Sequence, residues 1–157
     1  MNNCEIENPQ YPAGYDWTWI GVDKVGNIAA FCTASLGPAP KELIKSHVDV
    51  ILDIEDEVLK LPERSDVKLV SNVKRPDSFI DLANRGIFVF DWSDIHRRNV
   101  DALGAYELMA IPSKPLMHSQ LPEKLVNVVK SAEFLNLDFS TLETFDPRVH
   151  LECTSAK

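Results

Sequence analysis

The stretch from Tyr15 to Ala34, YDWTWIGVDKVGNIAAFCTA, constrains the fold more than any other part of the chain. In an extended segment alternate side chains face opposite sides. Here Trp17, Trp19 and Gly21 share one parity, and Thr18, Ile20 and Val22 share the other. Both parities carry bulky or β-branched residues, which suits a strand covered on both faces. Asp23 to Asn27 supplies turn chemistry, with Gly26 and Asn27 able to take positive φ. Ile28 to Ala34 then returns as a second strand, so a hairpin that forms part of the core is expected.

The period changes after Leu36-Gly37-Pro38-Ala39-Pro40. From Lys41 to Leu61 it is helical, with Pro40 suited to the helix start and Pro62 to its end. At about 100° per residue, Glu42, Lys45, Asp49, Asp53, Asp56 and Lys60 fall on one polar stripe. Lys45 with Asp49, and Lys60 with Asp56, have the spacing of helical ion pairs. Leu43, Ile44, Val48, Ile51, Leu52, Ile54, Val58 and Leu59 cover the rest. Glu55 falls near the centre of that apolar arc, and the simplest reading is that the arc ends there. His47 lies toward its edge, as a core-edge histidine with a partner.

Further along, Val67, Leu69 and Val70 suggest a short strand, and Pro76-Asp77 a brief helix to Asn84 with Gly86 just beyond it. GIFVFDW, residues 86–92, is rich in β-formers. AYELMAIP, residues 105–112, is a second such segment ended by Pro112, and the two pair antiparallel. A helix begins near Pro122 with Leu125, Val128 and Val129 on its apolar side. Leu135, Leu137 and Phe139 alternate with polar residues, as in a half-exposed strand. RVHLECTSAK closes the chain with another short strand. The expected class is α+β: a mostly antiparallel sheet with an N-terminal hairpin and two to three helices packed on it. At 157 residues the chain reads as one domain, 1–157, with a folded core over 14–152.

Composition narrows function. The net charge of −8 opposes nucleic-acid binding, which needs a positive field; it permits a basic protein partner and equally serves solubility alone. Cys4, Cys32 and Cys153 are odd in number and lack CxxC spacing, so neither a disulfide framework nor a zinc site is expected. The first residues do not resemble a signal peptide, and no apolar run approaches the roughly 20 residues of a membrane span, which points to the cytoplasm. Glycine-rich phosphate loops, GxSxG and HExxH are all absent.

Two candidate sites remain. Asp91, Asp94 and His96 in DWSDIHRR have ligand chemistry for a divalent ion, as in a small metal-dependent hydrolase. The stronger reading is structural, since Asp and Ser after a strand are turn formers and Arg97 and Arg98 are at hand to pair with Asp91. Cys32, amid apolar residues, suits an inert thiol rather than a nucleophile. Asp49, Asp53 and Asp56 on the helix stripe are either a solvated face or a docking face for a basic protein. Trp17, Trp19, Phe88, Phe90 and Trp92 could alternatively serve the interface of a homo-oligomer, since aromatic residues are enriched at interfaces as well as in cores.

YDWTWIGVDKVGNIAAFCTASLGPAP, RGIFVFDW, YELMAIPSKPL and LPEKL…FLNLDF, in that order, resemble segments of immunity proteins from bacterial polymorphic-toxin and contact-dependent inhibition systems. The resemblance runs from about residue 14 to about residue 140 and rests on core and turn residues. It implies a protein that binds and neutralises the C-terminal domain of a cognate toxin, performs no reaction and uses no cofactor. No binding residues carry over from the family. Asp49, Asp53, Asp56, Asp91 and Asp94 are expected to bind the partner on charge alone.

Overall fold

The computed structural model describes residues 10–70, 76–93 and 104–155. The hairpin forms as expected: β1 (Thr18–Asp23) pairs antiparallel with β2 (Ile28–Cys32), and nearly all of it is buried. The turn is built by Asp23. One of its carboxylate oxygens accepts the backbone N–H groups of Val25, Gly26 and Asn27 at 3.0, 2.9 and 2.8 Å. The other accepts the Asn27 side-chain amide at 3.1 Å and, from far along the chain, the Phe139 N–H at 2.7 Å. Gly26 sits at φ +103, where a side chain would be strained.

After β2 come β3 (Ala39–Pro40), α1 (Lys41–Ser46) and α2 (Ile54–Leu59), then β4 (Val67–Leu69) and α3 (Asp77–Ala83). Next are β5 (Phe88–Ser93), β6 (Ala105–Pro112), α4 (Glu123–Val129) and the two-residue strands β7 (Glu133–Phe134), β8 (Thr144–Phe145) and β9 (Cys153–Thr154). The main sheet runs β4-β6-β5-β2-β1-β7, with β8 also on β6, and β3 pairs with β9 in a second small sheet. The class is α+β, but the main sheet is mixed. β5 and β6 pair antiparallel as expected, whereas β2 with β5 and β1 with β7 are parallel. Strands covered on both faces tolerate either direction, and parallel neighbours need that double cover.

The two faces of the sheet are dressed differently. Trp19, Phe31, Phe90 and Tyr106 lie on one face, where Phe134, Phe139 and Phe145 of the C-terminal segment close over them. The buried Tyr106 hydroxyl donates to the Pro38 carbonyl at 2.9 Å and accepts the Trp19 indole N–H at 3.1 Å. Burial holds that phenol well above its ordinary pKa. Tyr106→Phe leaves a buried indole N–H and a carbonyl without their partner, at an expected cost of about 1–3 kcal/mol in urea unfolding. A loss under half of the lower figure would show that the two groups find other partners.

The opposite face, with Ile20, Ala30 and Val89, is covered by α2, α3 and α4. Arg85 ties off α2: its guanidinium donates to the carbonyl of Leu59, the last residue of the helix, at 2.9 Å and to that of Leu61, two residues beyond it, at 3.1 Å. Gly86 follows α3 at φ +94, as its position after the helix suggests. Trp17, Trp19, Phe88, Phe90 and Trp92 are all buried, so these rings belong to the core and present no surface to another copy.

Two expected elements are corrected. The helix over 41–61 is interrupted. It stops at Ser46, turns through 47–50, passes a 3-10 turn at Ile51–Asp53 and resumes at Ile54. Ser46, His47, Val48, Asp49 and Val50 are all mediocre helix formers, and His47 is held by a 3.1 Å contact between Nε2 and the Ser131 hydroxyl. The strand expected over 135–139 does not form; the strand of this region is the two residues just before it, Glu133–Phe134. Leu135 is exposed, and Phe139 enters the aromatic core from a 3-10 turn at Phe139–Thr141. Among the described residues no helix is long and apolar enough to cross a membrane.

Candidate functional site

The sheet register builds a polar row across otherwise apolar strands. Thr18 pairs with Cys32, Cys32 with Asp91, and Asp91 with Glu107, which places these four side chains on the helix-covered face. Glu55 of α2 reaches that row and accepts the Thr18 hydroxyl at 3.1 Å. Asp16, Thr18, Cys32, Glu55 and Asp91, with Ser78 and Phe79 from α3, enclose a cleft of about 340 Å³. Ala34 lines it too, at φ 51, with Ser35 following at φ 70, two successive left-handed residues at the corner where β2 ends.

The cleft gathers three carboxylates, and its chemistry follows from them. It favours cations and disfavours thiolate formation at Cys32: burial pushes that thiol up most and Asp91 adds to it, the Thr18 hydroxyl draws it partly back, and Glu55 and Asp16 add smaller rises. Cys153, on β9, is pushed up to about 12, again chiefly by burial. Neither is an activated nucleophile. Among the described residues no set of His, Cys, Asp and Glu side chains is placed to hold a metal ion.

These thiols set an alkaline limit. The folded chain holds their protons more tightly than the unfolded chain does, so their contribution to stability is whole below the ordinary thiol value of 9.0 and is lost as the pH climbs toward 12. Peptide-resolved alkylation at pH 8 is expected to label Cys32 and Cys153 at least about tenfold more slowly in the folded chain than in urea. Equal rates would mean that the thiols are neither shielded nor held protonated.

The residues expected to bind a partner separate into two groups. Asp49, Asp53 and Asp56 are all exposed, but the break at His47 destroys the common helical stripe. Asp49 lies in the turn, Asp53 ends the 3-10 segment and Asp56 opens α2. The expected Lys45–Asp49 spacing no longer lies within a helix, and Lys60 pairs with Glu57 at 3.0 Å, an acid that also receives Lys124 at 3.2 Å and so links α2 to α4. Asp91 is buried in the cleft wall rather than on an outer face. Asp94 and His96 lie outside the described residues, as do Arg97, Arg98 and Cys4. Asp16 and Glu55 were not expected in a site. Glu55 carried a signal, a carboxylate at the centre of an apolar arc; the arc does not end there but turns that carboxylate onto the sheet.

The same connection borders a second concavity. Tyr15, Ile44, Val48, Ile51, Leu52 and Thr154 are among the residues lining an apolar groove of about 750 Å³. The chain, compared with family models, curated proteins and solved structures, matches none of them.

Proposed function

We propose that this protein is an immunity-type inhibitor, which binds the toxic domain of a cognate bacterial toxin and blocks it without performing a reaction. The observation that carries the proposal is the distribution of carboxylates. A rigid aromatic core supports a cleft lined by Asp16, Glu55 and Asp91, and next to Glu55 the chain exposes Asp49, Asp53 and Asp56. On a chain of net charge −8 this arrangement attracts and orients a basic protein surface. The sequence resemblance to immunity proteins gives that surface its expected owner.

The test is co-expression with the variable C-terminal domain of a toxin encoded by the neighbouring gene. Growth rescue is expected, together with a complex on size exclusion that weakens as salt rises. No complex at low or high salt would overturn the proposal. The competing reading is a metal-dependent hydrolase using Asp91, Asp94 and His96, of which Asp91 alone lies among the described residues. Elemental analysis of the purified chain separates the two, because a stoichiometric divalent ion promotes the hydrolase.

A further inference from the structure

The groove beside the acidic cleft has the build of a docking site. Three of its residues are large, apolar and exposed: Tyr15 at 56%, Val48 at 63% and Leu52 at 44%. Soluble proteins expose single apolar side chains freely, but several gathered in one concavity mark a contact surface. Its floor is rigid. Ile44 and Ile51 are buried core residues, and Tyr11 is fixed by a 2.7 Å hydrogen bond from its hydroxyl to the Gly37 carbonyl and by an edge-on contact with Trp17.

Charge selects the occupant. Each exposed apolar residue is followed in the chain by an exposed aspartate: Tyr15 by Asp16, Val48 by Asp49, and Leu52 by Asp53. Asp16 also lines the acidic cleft, so groove and cleft adjoin. Lys45, which follows the lining residue Ile44, is the one lysine at the same remove among the described residues, against three aspartates; it also lines a different hollow with Lys41, Glu42 and Glu152. An apolar groove with three exposed aspartates each one residue outside its lining suits an apolar anchor carried between cationic residues, with burial at the centre and charge attraction around it.

We infer that the Tyr15–Val48–Leu52 groove docks a protein segment in which an aromatic or aliphatic anchor is flanked by lysine or arginine. The inference rests on the toxin-binding reading for the partner's identity, but not for the chemistry of the groove. A second copy of this chain fits less well, because it would bring further carboxylates against the same rim.

Two synthetic peptides test the chemistry on the intact, isotopically labelled chain. One has an aromatic-aliphatic centre between lysines; its twin has glutamates in their place. The lysine peptide is expected to shift the amide resonances of Tyr15, Val48 and Leu52, and the glutamate peptide to leave them unmoved. Val48→Asp with Leu52→Asp, both at exposed positions, should weaken the lysine peptide at least about tenfold while the thermal melt stays within a few degrees of the parent. Asp49→Lys with Asp53→Lys should abolish the preference between the peptides. Equal shifts with both peptides, or none at these three residues, would overturn the inference. So would shifts that follow protein concentration alone, which would assign the groove to a second copy.

The cognate toxin domain provides the second arm. A toxin complex indifferent to Val48→Asp and Leu52→Asp overturns the groove as the docking site and leaves the immunity reading standing. Lysine-peptide binding without any toxin complex does the reverse.

Discussion

Phe31→Ala is expected to cost about 3–5 kcal/mol, as a buried phenylalanine truncated in a packed core does. Its ring stacks on Trp19 at 4.1 Å and on Phe90 at 5.3 Å. It also meets Tyr106 at 5.4 Å, Phe139 at 5.8 Å and Phe145 at 5.4 Å. Those contacts bring β1, β5, β6 and the C-terminal segment to one ring, so the cavity has walls that cannot collapse separately. At about 2–4 °C per kcal/mol for a chain of this size, the melting temperature should fall by roughly 6–20 °C. Phe31→Leu, which keeps most of the volume, should cost appreciably less. A cost under about 1 kcal/mol for the alanine variant would mean that the face is loosely packed and that Phe31 is not its hub.

Asp23→Ala should be comparably damaging for a different reason. Removing the carboxylate takes the side-chain acceptor from three backbone N–H groups of the turn, from the Asn27 amide and from the Phe139 N–H. Losing several hydrogen bonds to one buried charged group is expected to cost about 3–5 kcal/mol. Asp23→Asn retains the shape but brings an amide donor toward other donors, so it should recover only part of that. Hydrogen exchange gives the sharper readout: the Phe139 amide should exchange faster in Asp23→Ala. An unchanged rate there, with the loss confined to residues 24–27, would show that the two ends of the chain are held together by packing alone.

The parts of the fold that could be read from the sequence are those where local chemistry and tertiary packing agree. The hairpin of β1 and β2, the β5–β6 pair, α4 with Leu125, Val128 and Val129 buried, and the turn at Asp23 to Asn27 all have a strong period or a turn residue that the fold uses as offered. The helix over 41–61 misled because its apolar period continues through 47–50 while the backbone does not. The break depends on weak helix formers and on the contact between His47 and Ser131, which are 84 positions apart. The alternation at Leu135, Leu137 and Phe139 misled because a 3-10 turn also delivers Phe139 to the core.

The candidate site was harder to see for the same reason. Asp91 could be singled out by its polar neighbours, but its association with Asp16 and Glu55 is made by strand register and by the face that α2 presents. Neither is written in a local pattern. The apolar groove joins residues 10–15, the 44–52 segment and the end of β9, three pieces that meet only in the folded chain.

The bond from Phe139 to Asp23 spans 116 positions. During synthesis, then, the hairpin emerges long before the strand and rings that complete it. The parallel ladder between β2 and β5 waits on residues 88–91, and the aromatic lid on residues 134–145. Contacts of such long range slow the search for the native arrangement. A nascent chain that has emerged only as far as the residues before Phe134 lacks the rings that cover Trp19 and Phe31 from the C-terminal side, a greasy sheet surface open to chaperones, and arrival of the last two dozen residues would act as the latch that closes it.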